Sequence, residues 1–262
     1  MDKPQPQFLD VGRGAGARRI AYLAQDGSSP GILWLQGFKS DMISLKATAL
    51  ARWTAAENRA FTRFDYSGHG FSGGQFEDGT LSHWLQETEA VFTRITTGPQ
   101  IVIGSSMGGN IALLLLRRFL MQAPPEAARI QSLILIAPAW DMTEELMWRR
   151  FSSEIRQTIM KDGVWLRPSQ YGDAYPITRN LIEDGRQNLI GTATWDPGRP
   201  VHIIHGRLDP DVPFSHSERL LKILQGTTVT LTEVPEGEHR LSRPQDLELL
   251  ISIVNKATAV NS

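Results

Sequence analysis

The stretch IVIGSSMGGN, Ile101–Asn110, sets two serines between glycines directly after a run of β-branched residues. That run predicts a buried strand, and NIALLLLRRFLMQ, starting at Asn110, predicts a helix. A serine on the turn between them must take up a strained backbone, and only small neighbours let strand and helix come close there. Gly104-Ser105-Ser106-Met107-Gly108 fits G-x-S-x-G about Ser106, whereas Ser105 has Ile103 and Met107 at the flanking positions. Ser106 is therefore the candidate nucleophile. Its weight comes from context, because the pattern alone arises by chance in about one such chain in ten. The helix also turns its free N–H groups and positive dipole end toward the place where negative charge would develop.

Further strands are read at GILWLQG, AFTRFDYSG, SLILIAPA, PVHIIHG and TVTLTEVPEG, each closed by Gly, Pro, Asp or Ser. Helical segments alternate with them: SLKATALARWTAAE, TLSHWLQETEAVFTRI, SHSERLLKILQ and a final RPQDLELLISIVNKA. Such alternation predicts βαβ units and a mostly parallel, doubly wound α/β sheet in a single domain over residues 1–262. It lapses over residues 140–200, which read as a helical cap, or lid, inserted above the strand ends. Four of the seven tryptophans lie there (Trp140, Trp148, Trp165, Trp195). Trp140, Trp148 and Trp165 are candidate walls of an acyl or aryl pocket, with the cap's own small core as the equal alternative.

Composition narrows the partners. A net charge of -1 with interleaved signs offers no field for nucleic acid or anionic membrane. The absence of cysteine removes disulfides, thiolate catalysis and zinc–thiolate sites, and fits a reducing compartment. MDKPQPQFLDVGRG carries Asp2 and two prolines where a signal peptide needs an apolar run, and Arg117 and Arg118 interrupt the densest apolar stretch. The expectation is a cytoplasmic protein without stable membrane insertion, acting on a small molecule, with no cofactor and no metal.

A serine hydroxyl needs a base to take its proton and an acid to orient the base. Of six histidines, His239 lies in VPEGEHRLSRP, a polar loop after the last strand, from which a side chain can reach over the sheet edge. HGRLDPDVP ends a strand and offers Asp209 and Asp211 as acids. His202 and His205, three apart in a strand, point to opposite faces and make no metal pair. Gly68-His69-Gly70-Phe71-Ser72-Gly73 matches the dinucleotide fingerprint, but it does not open a helix and no acid ends the next strand, so it reads as a structural turn.

Together these residues resemble the serine α/β-hydrolase family. LQGF is similar to its H-G-x oxyanion loop, DYSGHGFS to its D-x-x-G-x-G-x-S loop, GSSMGG to its nucleophile elbow, HGRLDPDVP to its acid loop and GEHR to its histidine loop. The resemblance runs from about Ile32 to Val254. It implies an α/β-hydrolase fold, Asp209 as the acid, His239 as the base, and backbone amides of Phe38 and Met107 as the oxyanion hole. The chain departs from the pattern at Gln36, where the family usually has histidine, which bears on loop shape. RFDYSGHGFS, KDGVWLRPSQY and EHRLSRPQDLELL resemble most the branch that cleaves acyl-protein thioesters and acyl glucuronides. The implied activity is ester or thioester hydrolysis, and an S-acylated protein is a substrate implied by this resemblance only. The alternatives are a non-catalytic scaffold binding a ligand beneath the cap, or acyl transfer by the same residues.

Overall fold

The computed structural model describes residues 5–168, 173–226 and 228–259. The chain opens with β1 (Gln7–Val11), β2 (Arg18–Gln25), β3 (Ser28–Leu35), α1 (Leu45–Ala56) and β4 (Arg59–Phe64). It continues with α2 (Leu81–Arg94), β5 (Gln100–Ser105), α3 (Met107–Gln122), α4 (Pro124–Arg129) and β6 (Ile130–Ile136). Eight strands form one sheet in the order β1-β2-β4-β3-β5-β6, then β9 (Val201–Gly206) and β10 (Val229–Val234). From β4 to β10 every neighbouring pair is parallel; β1 and β2 add an antiparallel edge. This is the α/β-hydrolase fold expected from the sequence.

The central strands are apolar on both faces because helices cover both. In β5, Ile101 and Ile103 join Trp34, Ile134 and Ile136 beneath α1 and α8 (Pro244–Ala259), while Val102 joins Leu33, Leu133 and Leu135 beneath α2 and α3. Strict alternation within each strand thus divides the core into two layers. The fixed register brings the ends of β3, β5 and β6 level, with Gly104 opposite both Leu35 and Leu135. The loops leaving these carboxyl ends share one edge of the sheet, where ligand sites of open α/β sheets form.

Between β6 and β9 the chain leaves the sheet. A π-helix over Met142–Met147 and a single 3-10 turn at Trp148–Arg150 precede α5 (Ser153–Asp162). Next come an antiparallel hairpin, β7 (Val164–Arg167) and β8 (Tyr175–Thr178), and then α6 (Arg179–Gln187). The hairpin is an addition to the helical reading of this segment. Gly163 at φ +82° ends α5 and starts β7, a conformation that favours glycine. After β9, α7 (Phe214–Ile223) leads to β10. Among the described residues no helix is long and apolar enough to cross a membrane.

Candidate active site

Ser106 sits where β5 turns into α3, with φ +54° and ψ -114°. The two flanking glycines explain how the chain tolerates this. A Cβ on Gly104 would collide with the backbone of Gly108, and one on Gly108 with the carbonyl of Leu35. Main chain therefore touches main chain on both sides of the turn. The Ser106 amide donates to the Ile136 carbonyl at 2.8 Å, and its own carbonyl accepts from Ala139 at 3.0 Å, tying the turn to the end of β6.

His239 Nε2 lies 3.0 Å from Ser106 Oγ, and its Nδ1 lies 2.7 Å from Asp209 Oδ2. A carboxylate can only accept, so Nδ1 carries the proton and Nε2 presents a lone pair to the serine hydroxyl. The ring is one-fifth exposed, while the Asp209 side chain is fully buried. Every lone pair of that carboxylate has a donor. Oδ1 accepts the amides of Asp211 and Val212, each at 2.8 Å, and Oδ2 accepts His239 and, at 3.1 Å, His205 Nε2. Burial opposes ionisation, but hydrogen bonds from His205 and His239, with the Val212 amide, outweigh it and hold Asp209 well below the usual carboxylate range.

The start of α3 and the loop after β3 lie beside the same hydroxyl. Met107 and Gly108 open α3, so their N–H groups have no acceptor within the helix. Across from them, a Cβ on Gly37 would lie 3.3 Å from Ser106 Cβ, which puts the Gly37–Phe38 peptide beside the hydroxyl. Side chains pin this second loop. His69 Nε2 accepts the amide of Lys39 at 3.2 Å while Lys39 holds φ +57°, and His69 Nδ1 meets the Ser67 carbonyl at 3.1 Å. Asp65, fully buried, takes the amides of Met42 at 2.7 Å and Phe71 at 2.8 Å; Gln36 Nε2 reaches it at 3.5 Å. A Cβ on Gly70 would collide with that carboxyl, so the glycines of DYSGHGFS serve a tight turn around Asp65.

A hydroxyl within hydrogen-bond reach of an imidazole that is itself held by a buried carboxylate is an arrangement that can activate a serine oxygen as a nucleophile. The model of a family described as serine aminopeptidase, S33, matches residues 34–184 of this chain. The chain is a member of this α/β-hydrolase family. The hydrolase is 30% identical over 240 residues to mouse palmitoyl-protein thioesterase ABHD10, mitochondrial, covering 90% of this chain and 77% of that protein. Its fold matches the crystal structure of a putative hydrolase from Agrobacterium vitis S4 at 38% identity and a TM-score of 0.93, over 98% of this chain and all of that one. The mouse α/β-hydrolase domain-containing protein 10 structure matches at 27% identity and a TM-score of 0.85, over 99% of this chain and all of that one.

The tryptophans of the hydrolase's insertion are held by neighbouring side chains. Trp140 is 2% exposed, donates its indole N–H to the His216 carbonyl at 3.0 Å, and stacks on the His216 ring at 4.5 Å. Trp148 lies beneath the guanidinium groups of Arg156 and Arg186, and Trp165 meets Phe151 at 5.2 Å. Ser169 and Tyr171 of the KDGVWLRPSQY stretch fall outside the described residues. His202 and His205 do point to opposite faces: His202 pairs with Thr230 Oγ1, and His205 is buried against Asp209 and Ser217. Among the described residues, the group with metal-ligand spacing is Asp209, Asp211 and His239, within 4.8 Å. In this group, the Asp209 oxygens lie within hydrogen-bond reach of the Asp211 and Val212 amides and of both imidazoles.

Three residues of the hydrolase's site were not singled out from sequence. His205 is the first residue of the acid-loop motif, four places before Asp209, and motif position was the available signal. His69 lies in the turn motif read only for its glycines. Lys46, on α1, reaches across to the histidine loop and donates to the carbonyl of Arg240 and, at 3.3 Å, to Ser242 Oγ. Nothing in the local sequence marks it.

Proposed function

We propose that this hydrolase cleaves carboxylic esters or thioesters through an acyl-enzyme on Ser106. Ser106 Oγ attacks the acyl carbonyl carbon as His239 Nε2 takes its proton. The carbonyl oxygen becomes an oxyanion, bound by the amides of Phe38 and Met107. When the tetrahedral species collapses, the bond to the alcohol or thiol breaks and His239 returns the proton to the leaving group. Water, deprotonated by the same nitrogen, then adds to the acyl carbon and releases the carboxylic acid and free Ser106. Asp209 keeps Nδ1 protonated and stabilises the imidazolium.

The observation that carries this reading is the unbroken chain from Ser106 Oγ through His239 to Asp209, at 3.0 and 2.7 Å. Residues 140–200 act as a cap over the carbonyl site, with Trp148 and Trp165 in its packing. For substrate, relatives named palmitoyl-protein thioesterases favour S-acyl protein thioesters, and acyl glucuronides require the same acyl chemistry. Those relatives are named as mitochondrial; for this chain the cytoplasm rests on its cysteine-free composition.

The test is a graded panel of p-nitrophenyl esters and acyl thioesters, run on wild type and Ser106→Ala, together with labelling by a fluorophosphonate probe. Ser106→Ala is expected to lose 10⁴- to 10⁶-fold in kcat and all labelling, on the order seen for serine nucleophiles. Labelling of Ser105, or an active Ser106→Ala, removes the assignment. An inert, unlabelled wild type points to a ligand-binding scaffold instead, and products formed with added alcohols or amines point to acyl transfer.

A further inference from the structure

The Phe38 amide can face Ser106 only while the short segment after β3 keeps its shape. The Phe38 ring is boxed edge-on by four others: Phe76 at 4.9 Å, Trp84 at 5.8 Å, His69 at 6.5 Å and Tyr175 at 5.8 Å. Three of the four come from residues 69–84, beside the sheet. Tyr175 alone comes from the insertion, at the start of β8.

Tyr175 also touches the next residue of the loop. The Lys39 ammonium lies 4.8 Å from the Tyr175 ring centroid and 6.0 Å from that of Phe76. One aromatic ring thus contacts the two consecutive residues that follow the Gly37–Phe38 peptide, whose N–H would be the oxyanion donor. The ring is half-buried, and its residue pairs with Arg167 across the hairpin. It joins the oxyanion loop to the hairpin at one point.

We infer that Tyr175 is a positioning residue of the oxyanion hole, through which the insertion holds Phe38 and Lys39 so that the Phe38 amide faces Ser106. This rests on the acyl-enzyme reading above. It separates two roles for the insertion, since a substrate wall would select among acyl groups, whereas a brace on the oxyanion loop acts on every substrate alike. Edge-to-face rings and a cation over a ring face fix orientation as well as distance, as a brace requires.

The experiment compares wild type, Tyr175→Ala and Tyr175→Phe on p-nitrophenyl acetate, butyrate and octanoate, and on an aliphatic trifluoromethyl ketone. The ketone accepts Ser106 Oγ at its carbonyl carbon and becomes a hemiketal oxyanion, while the serine proton passes to His239. Tyr175→Ala is expected to lower kcat about 10- to 100-fold for all three esters, less than loss of a whole oxyanion donor. KM should change less than about threefold, and affinity for the ketone should fall in step with kcat. Tyr175→Phe, which keeps the ring, should recover kcat to within about threefold of wild type. A loss confined to KM, a loss that varies with acyl length, or unchanged kcat and ketone affinity overturns the inference. If Tyr175→Ala does not fold, Tyr175→Leu carries the same readouts with apolar volume retained. Failure of the parent reading is distinct, because wild type itself would then neither hydrolyse esters nor form the ketone adduct.

Discussion

His205 Nε2 donates to Asp209 Oδ2 at 3.1 Å, on the same oxygen that accepts the hydrogen bond from His239 Nδ1. Its other nitrogen meets the Ser217 hydroxyl at 2.7 Å, and the ring is wholly buried. The second imidazole therefore helps keep Asp209 ionised and oriented. His205→Leu is expected to lower kcat about 10- to 100-fold with little change in KM, the scale of one hydrogen bond to a charged group. It should also cost about 2–3 kcal/mol in denaturant unfolding, because Ser217 loses its partner as well. A variant with wild-type kcat would show that His239 and the two loop amides hold the carboxylate unaided.

The glycines of the elbow are packing residues as much as turn residues. Gly108→Ala drives a Cβ into the Leu35 carbonyl, and neither backbone has a side chain that can give way. A loss of about 3 kcal/mol or more in stability is expected, or failure to fold. Gly16→Ala, with nothing within 4 Å of the new Cβ, is the matched control and should shift stability by less than about 0.5 kcal/mol. Equal melting temperatures for the two variants would refute the close-approach account.

Burial pushes the Asp65 carboxyl up to about 6, against the amides of Phe71 and Met42, which favour its ionised form. A carboxyl whose folded pKa exceeds its unfolded value binds more protons in the folded state. Its contribution to stability therefore declines as pH rises from about 4 to 6. Comparing urea unfolding of wild type with Asp65→Asn should show their difference shrinking across that interval, by on the order of 2–3 kcal/mol. A difference that stays flat with pH would mean that Asp65 ionises as freely in the fold as out of it.

Lys46 has the opposite sign. Burial, with the nearby Arg240 charge, lowers its ammonium to about 8, and Asp246 only partly offsets this. The unfolded chain then binds more protons between about pH 8 and 10, so stability relative to Lys46→Met should rise with pH there. The same substitution removes both Lys46 bonds to the Arg240–Ser242 segment next to His239, so a lower kcat at pH 7 is expected alongside. If kcat at pH 7 is unchanged, the histidine loop keeps its place through Leu241 in the core.

The central strands and the nucleophile turn were legible because their residues obey one rule each: apolar on both faces, or glycine where main chains meet. β1 and β2 were not, since QFLDV and RRIAYLAQ mix charged and apolar residues on a half-exposed antiparallel edge. The β7–β8 hairpin was hidden for a similar reason, being four residues a side with alternate side chains of β7 exposed. His205 was readable as a strand residue but not as a partner of Asp209. Its role depends on the turn that brings residues four apart face to face, and strand periodicity says nothing about that turn. Lys46 illustrates the general difficulty, since its partners lie nearly 200 residues away.

The contact of Gly108 with the Leu35 carbonyl has one more implication. It sets the spacing between the end of β3 and the start of α3 by backbone thickness alone, with no side-chain rotamer in between. Phe38 and Met107 belong to those two segments, so their amides are gauged against each other by a rigid spacer. In the proposed mechanism, an acyl pocket can then drift in sequence and shape, residue by residue, while the gap between the two proposed donors stays the same.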